Sequence, residues 1–139
     1  MQFVLASHNK KKMAEMAAIL SGLDIEVVPL PENAPEPEEN GATFEENAAI
    51  KAKSAADFTG LPAIADDSGL CVDALGGAPG VYSARFGNLD SDEARTALLL
   101  KKLEDVPDGR RTARFVSVVT ACFPNGRVLR ARGTCDGEI

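Results

Sequence analysis

The 139 residues, 45% hydrophobic and 26% charged, are enough for one globular domain with a core of ordinary size. A formal charge of −6 excludes a general polyanion-binding surface, so nucleic acid is not an expected partner and any anion site has to be local. Three cysteines without paired spacing, no leader-like N-terminus and no apolar run near the roughly 20 residues that cross a bilayer argue against a disulfide framework, a zinc site and a membrane partner; the expected setting is cytoplasmic.

Phe3 to Ala6 is a fully apolar run of the kind that makes a buried strand, and Met13, Met16, Ala17 and Leu20 then recur at helical spacing within Lys11 to Leu23. Between them lies a tight loop, Ser7-His8-Asn9, followed by three lysines. Asp24 to Leu30 predicts a second strand, and Pro29 to Gly41 an acidic, proline-rich loop. Thr43 with Glu46 forms a capping box for a helix that runs to about Phe58 and ends at Gly60. Leu61 to Ala65 predicts a buried strand that stops at Asp66, with glycine-rich turns between Gly76 and Gly80. Asp90 with Glu93 resembles another N-cap pair, opening a helix to about Leu103. Ala113 to Phe123 and Arg127 to Thr134 flank Pro-Asn-Gly, an antiparallel hairpin signal. Strands and helices alternate first and a hairpin follows, so the expected class is α/β with a mixed, twisted sheet flanked by helices.

Three segments carry chemistry. In the first, a strand feeds Ser7, His8 and Asn9 into a helix N-terminus, whose partial positive charge repels cations, yet Lys10, Lys11 and Lys12 stand there. Either an anion such as phosphate sits at this terminus, with Lys12 turned back to it, or the lysines form a solvated run and Asn9 is an ordinary cap. In the second, Asp66 and Asp67 end a hydrophobic strand. Two adjacent carboxylates cannot be buried there unpaired, so they either meet a hard cation such as Mg²⁺ beside a phosphate or cap a plain Asp-Ser-Gly turn. In the third, Glu38 and Glu39 precede Gly41, and Asn47 shares a helix face with Lys51, a charged side chain among alanines that calls for an anionic partner or for solvent. Arg85, with Tyr82, follows the glycine-rich turn and serves either a phosphate or base or a loop cap. His8 is the only histidine, which argues against a histidine-based nucleophilic triad.

These residues resemble the inosine triphosphate pyrophosphatases, the non-canonical purine nucleoside triphosphate pyrophosphatases. The opening Ser/Thr-x-Asn-x-x-Lys pattern is present as Ser7, Asn9 and Lys12. The Glu-x-Gly-x-Thr-Phe-x-Glu-Asn-Ala segment runs from Glu39 to Ala48 with Lys51 in register, and ADDSGL and LGGAPGVYSARF occupy 65–70 and 75–86. The resemblance implies a nucleotide cleft between two lobes, a homodimer, and Mg²⁺-dependent hydrolysis of ITP, dITP or XTP to the monophosphate and pyrophosphate, cleansing the nucleotide pool. It implies that the loop from Ser7 to Lys12 (Ser7, His8, Asn9, Lys10, Lys11, Lys12), Lys51, Ser68 and Arg85 contact substrate. Asp67 would hold the metal and act as general base, with Glu39 or Glu38 completing the metal site and Asp66 supporting it. The family continues beyond a segment like GTCDGEI through base-contacting motifs, so the 139 residues read as its single domain without the C-terminal portion, with weak or absent turnover expected. The competing readings are a house-cleaning phosphatase for other modified nucleotides, a nucleotide-binding module without catalysis, and an interaction domain built on the hairpin.

Overall fold

The computed structural model describes all 139 residues. In chain order they form β1 (Gln2–Leu5), α1 (Lys10–Leu20), β2 (Glu26–Val28), α2 (Phe44–Thr59), β3 (Ala63–Val72), α3 (Asp92–Lys102), β4 (Thr112–Cys122) and β5 (Val128–Glu138). Short 3₁₀ turns cover Ser21–Leu23, Asp73–Leu75 and Gly80–Asn88. One five-stranded sheet has the order β2-β1-β3-β4-β5, with β1 parallel to both β2 and β3; Phe3 lies opposite Val27 and Leu5 opposite Ile64. β4 and β5 are joined through Pro124-Asn125-Gly126, where the Gly126 amide donates to the Phe123 carbonyl at 2.9 Å, and a connection this short makes them antiparallel. The sheet is therefore mixed, as the alternation of elements predicts.

Two compact units divide the chain. The first comprises Met1–Asp67 and Val118–Ala131, the second Ser68–Ser117 and Arg132–Ile139. In the first, the two-residue period of β1 sorts its side chains to opposite faces. Phe3 and Leu5 pack with Val27, Ile64 and the apolar stripe of α1, while Val4 and Ala6 pack with Ala52, Ala55 and Ala56 of α2. The alanines let α2 lie close to the sheet, which fixes where the polar residues of that helix point. In the second unit, Val72, Leu99, Leu103 and Ala113 form the core.

Helix starts and stops follow local chemistry. The Thr43 hydroxyl accepts from the Glu46 amide at 3.1 Å, and Glu46 Oε2 reaches back to accept from the Ala42 amide at 2.7 Å, one residue before the cap whose own amide the capping box would use. Gly60 ends α2 in the left-handed region (φ 71°), which a residue with a Cβ enters only at a cost.

Boundaries differ from expectation in several places: β2 is confined to Glu26–Val28 and α1 ends at Leu20, and three others have a physical reason. β3 does not stop at Asp66 but continues to Val72, because Val72 is buried in the second core with Leu70 packed against it, and β4 pairs alongside. The N-cap of α3 is Ser91 rather than Asp90: its hydroxyl accepts from the Ala94 amide at 3.1 Å. β5 extends past Thr134 to Glu138 with every residue exposed. No helix is long and apolar enough to cross a membrane.

Candidate functional site

A cavity of about 260 Å³ in the first unit is lined by Ser7, His8 and Lys12 from the start of α1, by Glu36 and Glu39 from the acidic loop, and by Lys51 from α2, among others. Strand β1 is buried through Ala6, so the chain leaves the core at Ser7 and turns into α1 there. Asn9 is the N-cap: its Oδ1 accepts from the Lys11 and Lys12 amides at 3.0 and 3.2 Å, and the Ser7 hydroxyl accepts from the Asn9 amide at 3.1 Å. The cap thus occupies two of the N–H groups that a helix terminus would offer an anion. What remains for an anion is the Lys10 amide, the dipole and the lysine side chains.

The three lysines separate. Lys12 alone reaches the cavity, and its Nζ contacts both oxygens of Asp66, at 3.3 and 3.2 Å. Lys10 lines a second cavity, of about 360 Å³, with Asn9, Met13 and Glu32, and Lys11 is exposed and lines neither. His8 spans from the loop before α1 to the acidic loop. Its Nε2 lies 3.0 Å from the Pro31 carbonyl oxygen and its Nδ1 3.2 Å from Glu36 Oε1. Both partners are acceptors, so both contacts are hydrogen bonds only when each ring nitrogen carries a proton. The Pro31 carbonyl first, then Glu36, raise the His8 pKa above its ordinary value.

Lys51, expected to want an anionic partner, has one: its Nζ lies 3.3 Å from Glu39 Oε1 and also donates to the Asp66 carbonyl oxygen. Asp67 is half-buried, and its Oδ2 is fully enclosed with no hydrogen-bond partner. Burial chiefly raises its pKa; Lys51 and the polar Asn47 side chain oppose this, and the Glu39 and Asp66 charges add to it. An orphaned carboxylate oxygen is costly unless a cation or proton meets it.

The four carboxylates named from sequence do not form one ligand set. Glu38 is exposed on the loop, Asp66 is neutralised by Lys12 and Glu39 is paired with Lys51. No group of three or more His, Cys, Asp or Glu side chains is close enough to hold an ion. Asp67 fits a hard cation, and Glu39 is near enough to act on its charge. Mg²⁺ ordinarily takes one or two carboxylates, with waters and phosphates filling the rest of its shell. Ser68 and Arg85 belong to the second unit, where both are exposed, and Arg85 lies over the Tyr82 ring at 5.2 Å. The sequence placed Asn47 on the face of Lys51 without giving it a role of its own; it is only 2% exposed, and its Oδ1 accepts from the Gly41 amide at 2.8 Å. The available signal was an asparagine on an alanine face, a polar group that must find partners once buried.

A sequence profile described as the Ham1 family matches residues 3–139. The chain is 51% identical over 142 aligned positions to a protein of Exiguobacterium sibiricum named dITP/XTP pyrophosphatase, covering all of this chain and 72% of the relative. It is 52% identical to a protein of the same name from Geobacter sulfurreducens, covering 99% and 71%. Among solved structures, a HAM1 protein from Coxiella burnetii superposes with a TM-score of 0.92 at 45% identity, covering all of this chain and 73% of that one. The dITP/XTP pyrophosphatase from Mycobacterium abscessus gives 0.86 at 47%, covering all of this chain and 74% of that one. The profile match over nearly every residue, together with half-identical relatives and superposing structures, shows that the chain belongs to the Ham1 family.

Proposed function

We propose that the protein is a Mg²⁺-dependent nucleoside triphosphate pyrophosphatase of the cytoplasm, acting on dITP, XTP and ITP. The observation that carries this reading is Asp67 Oδ2, buried without a partner in the middle of β3, next to Asp66, whose carboxylate and carbonyl hold Lys12 and Lys51, the two lysines that line the cavity. Two relatives' names, both dITP/XTP pyrophosphatase, supply the substrate class. The homodimer implied by the sequence resemblance belongs to the same proposal.

Lys12 and Lys51 answer the negative charge of the triphosphate, and the positive end of α1 adds to them. Each lysine now holds a carboxylate, Asp66 and Glu39, so phosphate oxygens compete with these groups for the same cations. Asp67, with Glu39, would hold Mg²⁺, which when bound supplies charge neutralisation at the phosphates and eases deprotonation of water. Asp67 is also the proposed general base, as the buried carboxylate at the site whose Oδ2 has no other partner. Water attacks the α-phosphorus, its proton passes to the carboxylate, the bond to the α,β-bridging oxygen breaks, and pyrophosphate leaves the nucleoside monophosphate.

The test is single-turnover cleavage with protein in excess over nucleotide, so that slow chemistry is still counted. The expected products from XTP and dITP are the monophosphate and pyrophosphate, dependent on Mg²⁺ and lost in Asp67→Asn. Release of orthophosphate would point to a phosphatase acting at the terminal group instead.

A further inference from the structure

In the parallel pair of β1 and β3, alternate carbonyls of β3 serve β1: the Val4 amide donates to the Pro62 carbonyl and the Ala6 amide to the Ile64 carbonyl, both at 2.9 Å. The next acceptor in that series is the carbonyl of Asp66. β1 ends at Leu5, and the Ser7 amide turns back to the Leu5 carbonyl as the chain leaves for α1, so the ladder stops short of Asp66. Lys51 of α2 answers in place of β1: its Nζ donates to the Asp66 carbonyl and lies 3.3 Å from Glu39 Oε1. The Asp66 side chain, two residues on from Ile64, shares the sheet face against which α1 packs. There both its carboxylate oxygens meet Lys12 Nζ, at 3.3 and 3.2 Å. One residue thus holds the two lysines that line the cavity, Lys12 through its side chain and Lys51 through its backbone. An ammonium carries three N–H donors, so each lysine keeps one for an incoming anion.

We propose that Asp66 is a positioning residue for the phosphates and not a metal ligand: its carboxylate sets the Lys12 ammonium and its carbonyl the Lys51 ammonium, so that both meet the triphosphate in fixed places. The inference rests on the triphosphate reading given above and names what fixes its two cations. Substitution separates the two holds, because Asp66→Asn removes the carboxylate and leaves the carbonyl.

The direct readout is ¹⁵N NMR of the lysine ammonium groups in the nucleotide-free protein, assigned with Lys11→Met, Lys12→Met and Lys51→Met. Lys12 and Lys51 should be more ordered than exposed Lys11 in the parent; Asp66→Asn should loosen Lys12 to the level of Lys11 and leave Lys51 unchanged. Lys12 as mobile as Lys11 in the parent, or untouched by the substitution, would overturn the proposal. Misplacing a phosphate partner should slow single-turnover cleavage of XTP about ten- to hundredfold, while half-saturating XTP stays within about threefold because Lys12 keeps its charge. In a Lys12→Met background the same substitution should add less than about twofold, since Asp66 acts through Lys12. A full effect in that background, or Mn²⁺ binding weakened about tenfold by Asp66→Asn alone, gives Asp66 another role and overturns the proposal. Asp66→Ser carries the test if asparagine fails to fold. A parent with both lysines ordered that cleaves no triphosphate sinks the hydrolase reading and leaves the hold on the lysines standing.

Discussion

Lys12 and His8 stand four residues apart and do different work. Lys12 sits at 3.2 Å from Asp66 and lines the cavity, so Lys12→Met removes a phosphate partner and leaves Asp66 without its cation. Charge-assisted hydrogen bonds of this kind are worth about 1.5–3 kcal/mol, so the KM for a triphosphate should rise roughly ten- to hundredfold in steady-state assays; Lys11→Met, on an exposed side chain, should change it less than twofold. His8 acts on the loop. Its pKa is raised in the fold, so the protonated form is the one the fold favours. The attachment it provides is fully present below the unfolded value of about 6.5 and is lost as pH rises through the higher folded value. Hydrogen exchange over 29–41, corrected for intrinsic rates, should show less protection at pH 8.5 than at pH 6, and His8→Ala should erase the difference. Equal protection at both pH values in the parent would refute the latch. The lysine pattern flagged this region in sequence, but only coordinates separate Lys12 from its neighbours, because which side chain turns back depends on the cap geometry that Asn9 imposes.

Elements were legible where local chemistry dictates them. The apolar run of β1, the stripe of α1, the Thr43 cap of α2 and the Pro-Asn-Gly hairpin each act within a few residues, and each appears where expected. The misses were long-range. β3 runs on through Asp66 and Asp67 because distant Lys12 and Lys51 answer those charges and β4 supplies the ladder, neither of which is written near the aspartates. The choice of Ser91 over Asp90 as cap is a one-residue shift that two good capping residues in a row leave open. The turn before α2 gives a sharper test. A methyl group at Gly41 would collide with Glu46 Cβ, which the helix backbone holds in place, so Gly41→Ala should cost roughly 1–3 kcal/mol by chemical denaturation. Gly22→Ala, where a Cβ meets nothing, should be within about 0.5 kcal/mol of the parent.

For the chain as a whole, the site's parts were visible as residue types: lysines at a helix start, paired aspartates ending an apolar stretch, glutamates before a glycine. Their partnering was not. The resemblance set Asp67 with Glu39 or Glu38 as metal ligands and Asp66 as their support; in the fold Asp66 and Glu39 contact lysines and Asp67 Oδ2 is the oxygen without a partner. That division assigns distinct duties to adjacent carboxylates and makes Asp67 the residue on which the functional reading turns. The direct measurement is product analysis after single-turnover incubation of XTP and dITP with the protein and Mg²⁺, beside Asp67→Asn and a chelator control. The account predicts monophosphate and pyrophosphate in equal amounts from the parent alone. Undiminished cleavage by Asp67→Asn, or a parent that binds the nucleotides and leaves them intact, would contradict it.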